Sequence, residues 1–249
     1  MKKFWNMQSK DNKGELFLYG DISSSTWFGD EVTPRQFKAD LDALGEIGEL
    51  EIFINSGGGD VFAGQAIYSM LKRHKAYKTV YVDGLAASIA SVIAMAGDKV
   101  IMPENAMLMI HNAWTFAAGS ADYFRKLADD MDKVDESIMS TYIAKTGKEL
   151  SEIKALMDAE TWMTAQDAVG MGFADEIEKE KRLAASIDGG FLMLNGQTFD
   201  LDRYKTKPVV AEHRNDNRDD CQPVSDSQKE QFNSIRKKIL TAYEEGKTK

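Results

Sequence analysis

Between Glu15 and Ile110, short apolar stretches bounded by glycine or proline alternate with segments long enough for a helix, and this alternation narrows the fold most. Glu15 to Tyr19 reads as a strand, and Thr33-Pro34 as an N-cap with proline in the first turn of a helix running to about Leu44. Leu50 to Ile54 is a second strand, Asn55 to Asp60 a glycine turn, and Val61 to Lys72 a helix with Phe62, Ile67, Met70 and Leu71 for packing. Lys78 to Val82 is a strand and Ala86 to Ala96 a helix, followed by short strands at Val100 to Met102 and Met107 to Ile110. Buried strands joined by crossover helices predict an α/β domain with a largely parallel sheet. Its site is expected at the C-terminal ends of the strands.

A long helix follows from Ser120, where Phe124, Leu127, Met131, Val134, Ile138 and Tyr142 recur at spacings of three and four up to Gly147. Lys148 to Met157 reads as another helix, and Thr164 to Val169 as a short one capped by Thr164. Beyond about Glu180 the composition changes. Phe191 to Leu194 and the Asn195-Gly196 turn suggest a hairpin-like appendage within 181–210. Residues 211–249 read as a polar linker, His213 to Asp220, and an amphipathic tail helix, Ser227 to Glu244, using Phe232, Ile235, Ile239 and Leu240. The first 180 residues form the main domain.

With 249 residues, 43% of them hydrophobic, the chain can bury one substantial core. A formal charge of -9, with no concentrated basic stripe, argues against nucleic acid or an anionic membrane as partner. The single cysteine, Cys221, excludes an intrachain disulfide and a multi-thiolate zinc site, and fits a reducing compartment. Polar residues follow Lys2-Lys3 where a secretion signal would have its apolar core. The weakly polar run Leu85 to Gly97 is too short to span a bilayer. The expected location is the cytoplasm.

Chemistry concentrates in three places. The run Gly84-Leu85-Ala86-Ala87-Ser88 looks like a strand turning into an Ala-rich helix with serine at its start, where free backbone N–H groups favour developing negative charge. Ser88 is then a candidate nucleophile, or simply a helix cap. Gly57-Gly58-Gly59 lets backbone amides approach a ligand atom closely, as a phosphate cradle, an oxyanion hole or a plain turn. Neither a dinucleotide fingerprint nor a P-loop is present. Of three histidines, His74 lies at a basic helix end and His213 in the polar tail. His111 ends an apolar strand, from which an imidazole can reach a cleft or serve a structural role.

Together, Ile-Asn-Ser-Gly-Gly-Gly at 54–59, Gly-Leu-Ala-Ala-Ser at 84–88, Met-Ile-His at 109–111 and Thr-Ala-Gln-Asp-Ala-Val-Gly-Met-Gly at 164–172 resemble the ordered blocks of Clp-protease proteolytic subunits. The resemblance covers about Glu15 to Asp175. It implies the spiral of repeated ββα units shared with crotonases, with a protruding helical handle at about 112–147. By position it makes Ser88 the nucleophile, His111 the general base, and the backbone N–H groups of Gly59 and Ile89 the oxyanion hole. The third triad position, an aspartate in the family, falls on Glu160, with Asp158 as its rival. Gly57 stands where the family has proline, and Ala90 where it has a glycine.

The resemblance further implies a serine endopeptidase that needs neither metal nor organic cofactor. Its substrates are unfolded or threaded proteins, hydrolysed in a chamber built by two stacked seven-membered rings meeting through their handles. The Glu-Thr-Trp segment and the C-terminal extension are similar to phage or prophage members. The implied partner is either an ATP-driven unfoldase or a phage capsid or scaffold protein, the latter in capsid maturation. Two other readings are a catalytically silent shell protein and a crotonase-like acyl-CoA enzyme.

Overall fold

A β-hairpin opens the chain in the computed structural model, which describes residues 3–23, 33–178, 185–188, 191–194 and 197–201. Strand β1 (Trp5–Lys10) pairs antiparallel with β2 (Lys13–Tyr19), Lys10 facing Lys13. Only β2 was expected. Apart from Trp5 and the half-buried Met7, β1 is exposed, so its sequence carries no apolar alternation. Helix α1 (Pro34–Ala43) starts at Thr33, whose hydroxyl accepts the Gln36 N–H while the Gln36 side chain accepts the Thr33 N–H. There follow β3 (Glu49–Ser56), α2 (Val61–Arg73), β4 (Tyr77–Ala87), α3 (Ile89–Ala94), β5 (Lys99–Pro103) and β6 (Met107–Ile110). Then come α4 (Ala121–Thr146), α5 (Leu150–Asp158), β7 (Thr161–Thr164), α6 (Ala165–Gly170) and β8 (Glu176–Glu178).

Strands β2, β3, β4, β5 and β8 run parallel in that order, with β1 antiparallel at the edge. The long β4 changes partner along its length. Thr79 to Tyr81 pair with β5, whereas Leu85 to Ala87 pair with Met107 to Met109 of β6, which pairs in turn with antiparallel β7. This mixed α/β architecture agrees with the Clp-protease and crotonase-like expectation.

Side-chain alternation explains the layers. Leu16 and Leu18, Ile52 and Ile54, and Val80 and Val82 all point into one core, each no more than 1% exposed. The odd positions face the other side, where register-paired Phe17, Phe53 and Tyr81 stack with ring centroids 4.8 and 5.2 Å apart. Helix α2 buries Ala63, Gly64, Ile67 and Leu71, and Met70 is half-buried. Phe62, expected to pack, is instead 69% exposed. It lies five residues before Ile67, about 140° round the helix from that core position. Gly64 lets α3 come close: a Cβ there would sit 2.2 Å from Ile89 Cγ1.

The last turns of α4 bury Ile138, Met139, Thr141 and Tyr142, and Gly147 closes the helix in the left-handed conformation at φ 70°. Its first turns are exposed, including Tyr123 and Phe124 at 47% each. In the C-terminal part, β9 (Ala185–Asp188), β10 (Phe191–Leu194) and β11 (Gln197–Asp200) form an antiparallel sheet, with Leu194 opposite Gln197. Leu192 and Leu201 are buried with Leu85, Ala87, Met107 and Met109, against which Trp162 packs. The Asn195-Gly196 turn, the polar linker, the tail helix, His213 and Cys221 lie outside the described residues. Among the described residues no helix is long and apolar enough to cross a membrane.

Candidate active site

The sequence reading ended the third strand at Val82 and began the next helix at Ala86, but β4 continues to Ala87, α3 starts only at Ile89 and the turn is Ser88 alone. The cause is the change of partner. The register between β3 and β4 shifts between Ile54 and Ser56, so Gly84 falls in the irregularity rather than at a strand end. The Asn55 side chain closes it, its Oδ1 accepting the Leu85 N–H at 3.3 Å. Ser88 sits at φ 56°, ψ −131°, a backbone region that costs a non-glycine residue about 1–3 kcal/mol. Its N–H donates to the Met109 carbonyl at 3.0 Å, and its own carbonyl accepts the Ser91 N–H at 3.0 Å and Ser91 Oγ at 2.5 Å. The Ser88 side chain makes no capping hydrogen bond to α3. That removes the helix-cap reading of this serine.

Ser56 shapes the glycine loop, its hydroxyl donating to the Gly20 carbonyl at 2.6 Å and accepting the Gly58 N–H at 3.2 Å. Gly58, at φ 95°, lies against the serine turn: a Cβ there would be 2.6 Å from Ser88 Cβ. Gly59, at φ 147°, forms an isolated parallel bridge with Ile22. The bridge runs from the Ile22 N–H to the Gly58 carbonyl at 2.9 Å and from the Asp60 N–H to the Ile22 carbonyl at 2.8 Å. Gly59's own N–H is therefore turned away from Ile22. The Ile89 N–H is the first amide of α3, which has no preceding helical carbonyl to bond.

His111 follows the last residue of β6, with Nε2 2.8 Å from Ser88 Oγ. On its other side Nδ1 stands 3.6 Å from Glu160 Oε2, and both side chains are 9% exposed. This is charge-contact range, slightly beyond a direct hydrogen bond for that atom pair. Glu160 occupies the turn between α5 and β7 at φ 50°. Strand β7, only four residues long and unread in the sequence, pins the next residues against β6 through Thr161 opposite Ile110. Asp158 lies elsewhere. It accepts Asn112 Nδ2 at 2.9 Å and pairs with Lys154 at 3.1 Å, contacts that hold its carboxyl below the usual value. His74 caps α2, where its Nδ1 accepts the Ala76 N–H at 3.2 Å.

Ser88, His111, Gly57 and Gly59 border a cavity of about 310 Å³, whose other walls are Val61 and the segment Ala113-Trp114-Thr115-Phe116. Among the described residues no lysine or arginine lines it, so a phosphate would lack a counter-charge there and the cradle reading loses support. Trp114 and Phe116 are 53% and 83% exposed, with ring centroids 5.2 Å apart. The segment is tethered from behind: the Ala113 N–H donates to Asp135 Oδ1 of α4 at 2.7 Å. Burial pushes the Asp135 carboxyl up from its usual value. The sequence reading missed Trp114, Phe116 and Asp135 as site residues. Its only available signal was two large aromatics in an otherwise small-residue loop directly after His111.

This arrangement offers groups suited to acyl transfer: a hydroxyl 2.8 Å from an imidazole, a carboxylate on the far side of that imidazole, and a glycine loop at the edge of the same cleft. The Clp protease family model matches residues 12–181, more than half of the chain. An ATP-dependent Clp protease proteolytic subunit of Bacteroides fragilis is 30% identical over 154 residues, covering 59% of this chain and 74% of that protein. The protein of the same name from Ligilactobacillus salivarius is 34% identical over 145 residues, covering 57% of this chain and 73% of that one. The matched span contains the serine turn, the glycine loop, His111 and Glu160. The chain belongs to the Clp protease family of serine-type endopeptidases.

Proposed function

We propose that this endopeptidase cleaves unfolded or threaded protein chains with Ser88 as nucleophile, His111 as general base and Glu160 as the carboxylate that orients the imidazole. The observation that carries this reading is the 2.8 Å contact between His111 Nε2 and Ser88 Oγ on a strained turn beside an open cleft. Ser88 Oγ attacks the peptide carbonyl as its proton passes to His111 Nε2, forming a tetrahedral oxyanion. Gly59 and Ile89 N–H groups stabilise that oxygen, and His111 returns the proton to the leaving amine. Water then hydrolyses the acyl-serine with His111 again as base. The C-terminal ends of β4 and β6 supply the two reacting side chains, the position expected for a site in an α/β sheet.

Self-association into rings that enclose the cleft belongs to the same proposal. It is supported by the exposed aromatics Tyr123 and Phe124 on the first turns of α4, their ring centroids 6.0 Å apart, since neighbouring large apolar side chains left together on a surface favour a contact site. Two stacked heptamers are the arrangement the family resemblance implies. The relatives are named ATP-dependent, which favours an ATP-driven unfoldase over a capsid protein as partner of the catalytic core. A crotonase-like acyl-CoA reading would leave the Ser88–His111 contact without a role.

Incubating the assembled protein with a fluorophosphonate and mapping the modified peptide tests the core of this reading. The expected result is a single adduct on Ser88. Absence of an adduct in folded, assembled protein would support the silent-shell alternative. The third role is tested separately. Glu160→Gln is expected to lower kcat about 10²- to 10⁴-fold with assembly intact, because the imidazole loses the charge that fixes its tautomer. Asp158→Asn, which alters a solvated pair, should cost no more than about tenfold. The reverse ranking would transfer the role to Asp158.

A further inference from the structure

Tyr142 is a phenol on α4 that the proposed chemistry does not use, yet it is 1% exposed and reaches beneath the serine turn. Its hydroxyl lies 2.8 Å from Ser91 Oγ, and Ser91, fully buried, lies 2.5 Å from the Ser88 carbonyl oxygen. Proton counting fixes the direction of this chain. A serine hydroxyl has one proton, and here it goes to the Ser88 carbonyl, which can only accept. Tyr142 must therefore donate to Ser91 Oγ. Burial raises the Tyr142 phenol well above its usual value, so it remains a donor throughout the range in which a histidine base works.

The Ser88 carbonyl and the Ile89 N–H are opposite ends of one planar trans peptide. Holding the carbonyl oxygen at one end sets the direction of the amide hydrogen at the other. The backbone of Ser88 does not supply that orientation by itself, because φ 56°, ψ −131° is an unfavourable conformation that neighbours must enforce. Ser91 enforces it twice, through its N–H at 3.0 Å and its hydroxyl. Tyr142 in turn is packed edge-on against Phe173, 5.6 Å between ring centroids, so it is a rigid anchor. We propose that Ser91 and Tyr142 are positioning residues that fix the Ser88–Ile89 peptide plane, and so aim the Ile89 amide at the oxyanion, from the buried end of the helix whose other end projects from the fold. This rests on Ile89 serving as an oxyanion donor, as proposed above.

The inference predicts a defect in the transition state and not in substrate binding. In the full-length assembled protein, Ser91→Ala should lower kcat for a fluorogenic peptide about tenfold while KM stays within about twofold. Affinity for a peptide aldehyde, whose hemiacetal oxygen mimics the oxyanion, should fall by the same factor as kcat/KM. Tyr142→Phe should lower kcat about threefold, since Ser91 still reaches the carbonyl without its polarising donor. The double variant should be no slower than Ser91→Ala alone, because the two act through one chain of bonds.

An unchanged kcat in Ser91→Ala, or equal losses in kcat and aldehyde-independent peptide binding, would overturn the positioning role. Additive losses in the double variant would overturn the shared chain. Wild-type protein that forms no Ser88 adduct with a fluorophosphonate would instead overturn the reading on which the inference stands. Normal wild-type labelling with an unaffected Ser91→Ala would overturn this inference alone.

Discussion

Ser88→Ala is expected to lower kcat for a peptide substrate by about 10⁵-fold or more while leaving KM within a few-fold. Without the hydroxyl, water must attack the carbonyl directly, and only the amides and the cleft continue to help. His111→Ala should fall almost as far, and the double variant no further, because either loss alone disables the same 2.8 Å pair. Residual turnover in Ser88→Ala above about one part in 10³ of wild type, measured on mass-verified protein, would place the nucleophile elsewhere. Stability adds an independent check. Alanine keeps a Cβ and therefore keeps the strain at φ 56°, whereas glycine tolerates positive φ. Ser88→Gly should thus unfold at a higher temperature than Ser88→Ala, although glycine ordinarily destabilises.

That strain explains why the site was legible in part. The residue types of a serine turn, a glycine loop and a strand-end histidine are short-range signals, and each marks a place where the backbone must do something unusual. Ser88, Gly59 and His111 lie on three separate strand or loop segments that the sheet brings side by side through β4 pairing with both β3 and β6. The alternation of apolar strands and helices was enough to anticipate the α/β sheet, and the proposed site lies at the ends of two of its strands. The strand boundary was not legible, because β4 continues through an irregularity held by a long-range bond from Asn55 to Leu85.

Other misses have the same origin in tertiary contact. β1 is an edge strand with almost no buried side chain, and β7 is four residues that are strand-like only because β6 lies beside them. Phe62 belongs to an apolar helix segment but sits on its solvent side. Trp114 and Phe116 acquire a meaning only when the segment after His111 is tied to α4 by the Ala113–Asp135 bond. The Ser91–Tyr142 contact joins residues 51 apart, and no periodicity in either segment announces it. Glu160 was placed by analogy, and its 3.6 Å distance from His111 is the loosest contact of the three partners.

Gly59→Ala separates an oxyanion loop from a plain turn. A Cβ at this position would lie 1.9 Å from the Ile22 carbonyl oxygen, a backbone atom that has no rotamer to change, and φ 147° suits no alanine. The loop must therefore leave Ile22, giving up the bonds at 2.9 and 2.8 Å that hold Gly58 and Asp60 in place. The Gly59 amide moves with it. Loss of one oxyanion donor costs about 10²–10³ in kcat, and that range is the expected effect here. Fluorophosphonate labelling of Ser88 should slow in parallel, since the phosphonyl oxygen uses the same amides, while Ser88 and His111, directly after β4 and β6, keep their contact. Gly170→Ala is the control: it meets nothing within 4 Å and should leave the rate unchanged. If Gly59→Ala turns over peptide at the wild-type rate, the loop is no more than a turn, and the oxyanion is held by Ile89 and a donor not yet identified. If instead the rate falls with labelling while the fold survives, the triple-glycine segment works as half of the oxyanion hole, and its tolerance of φ 147° is what the catalysis requires.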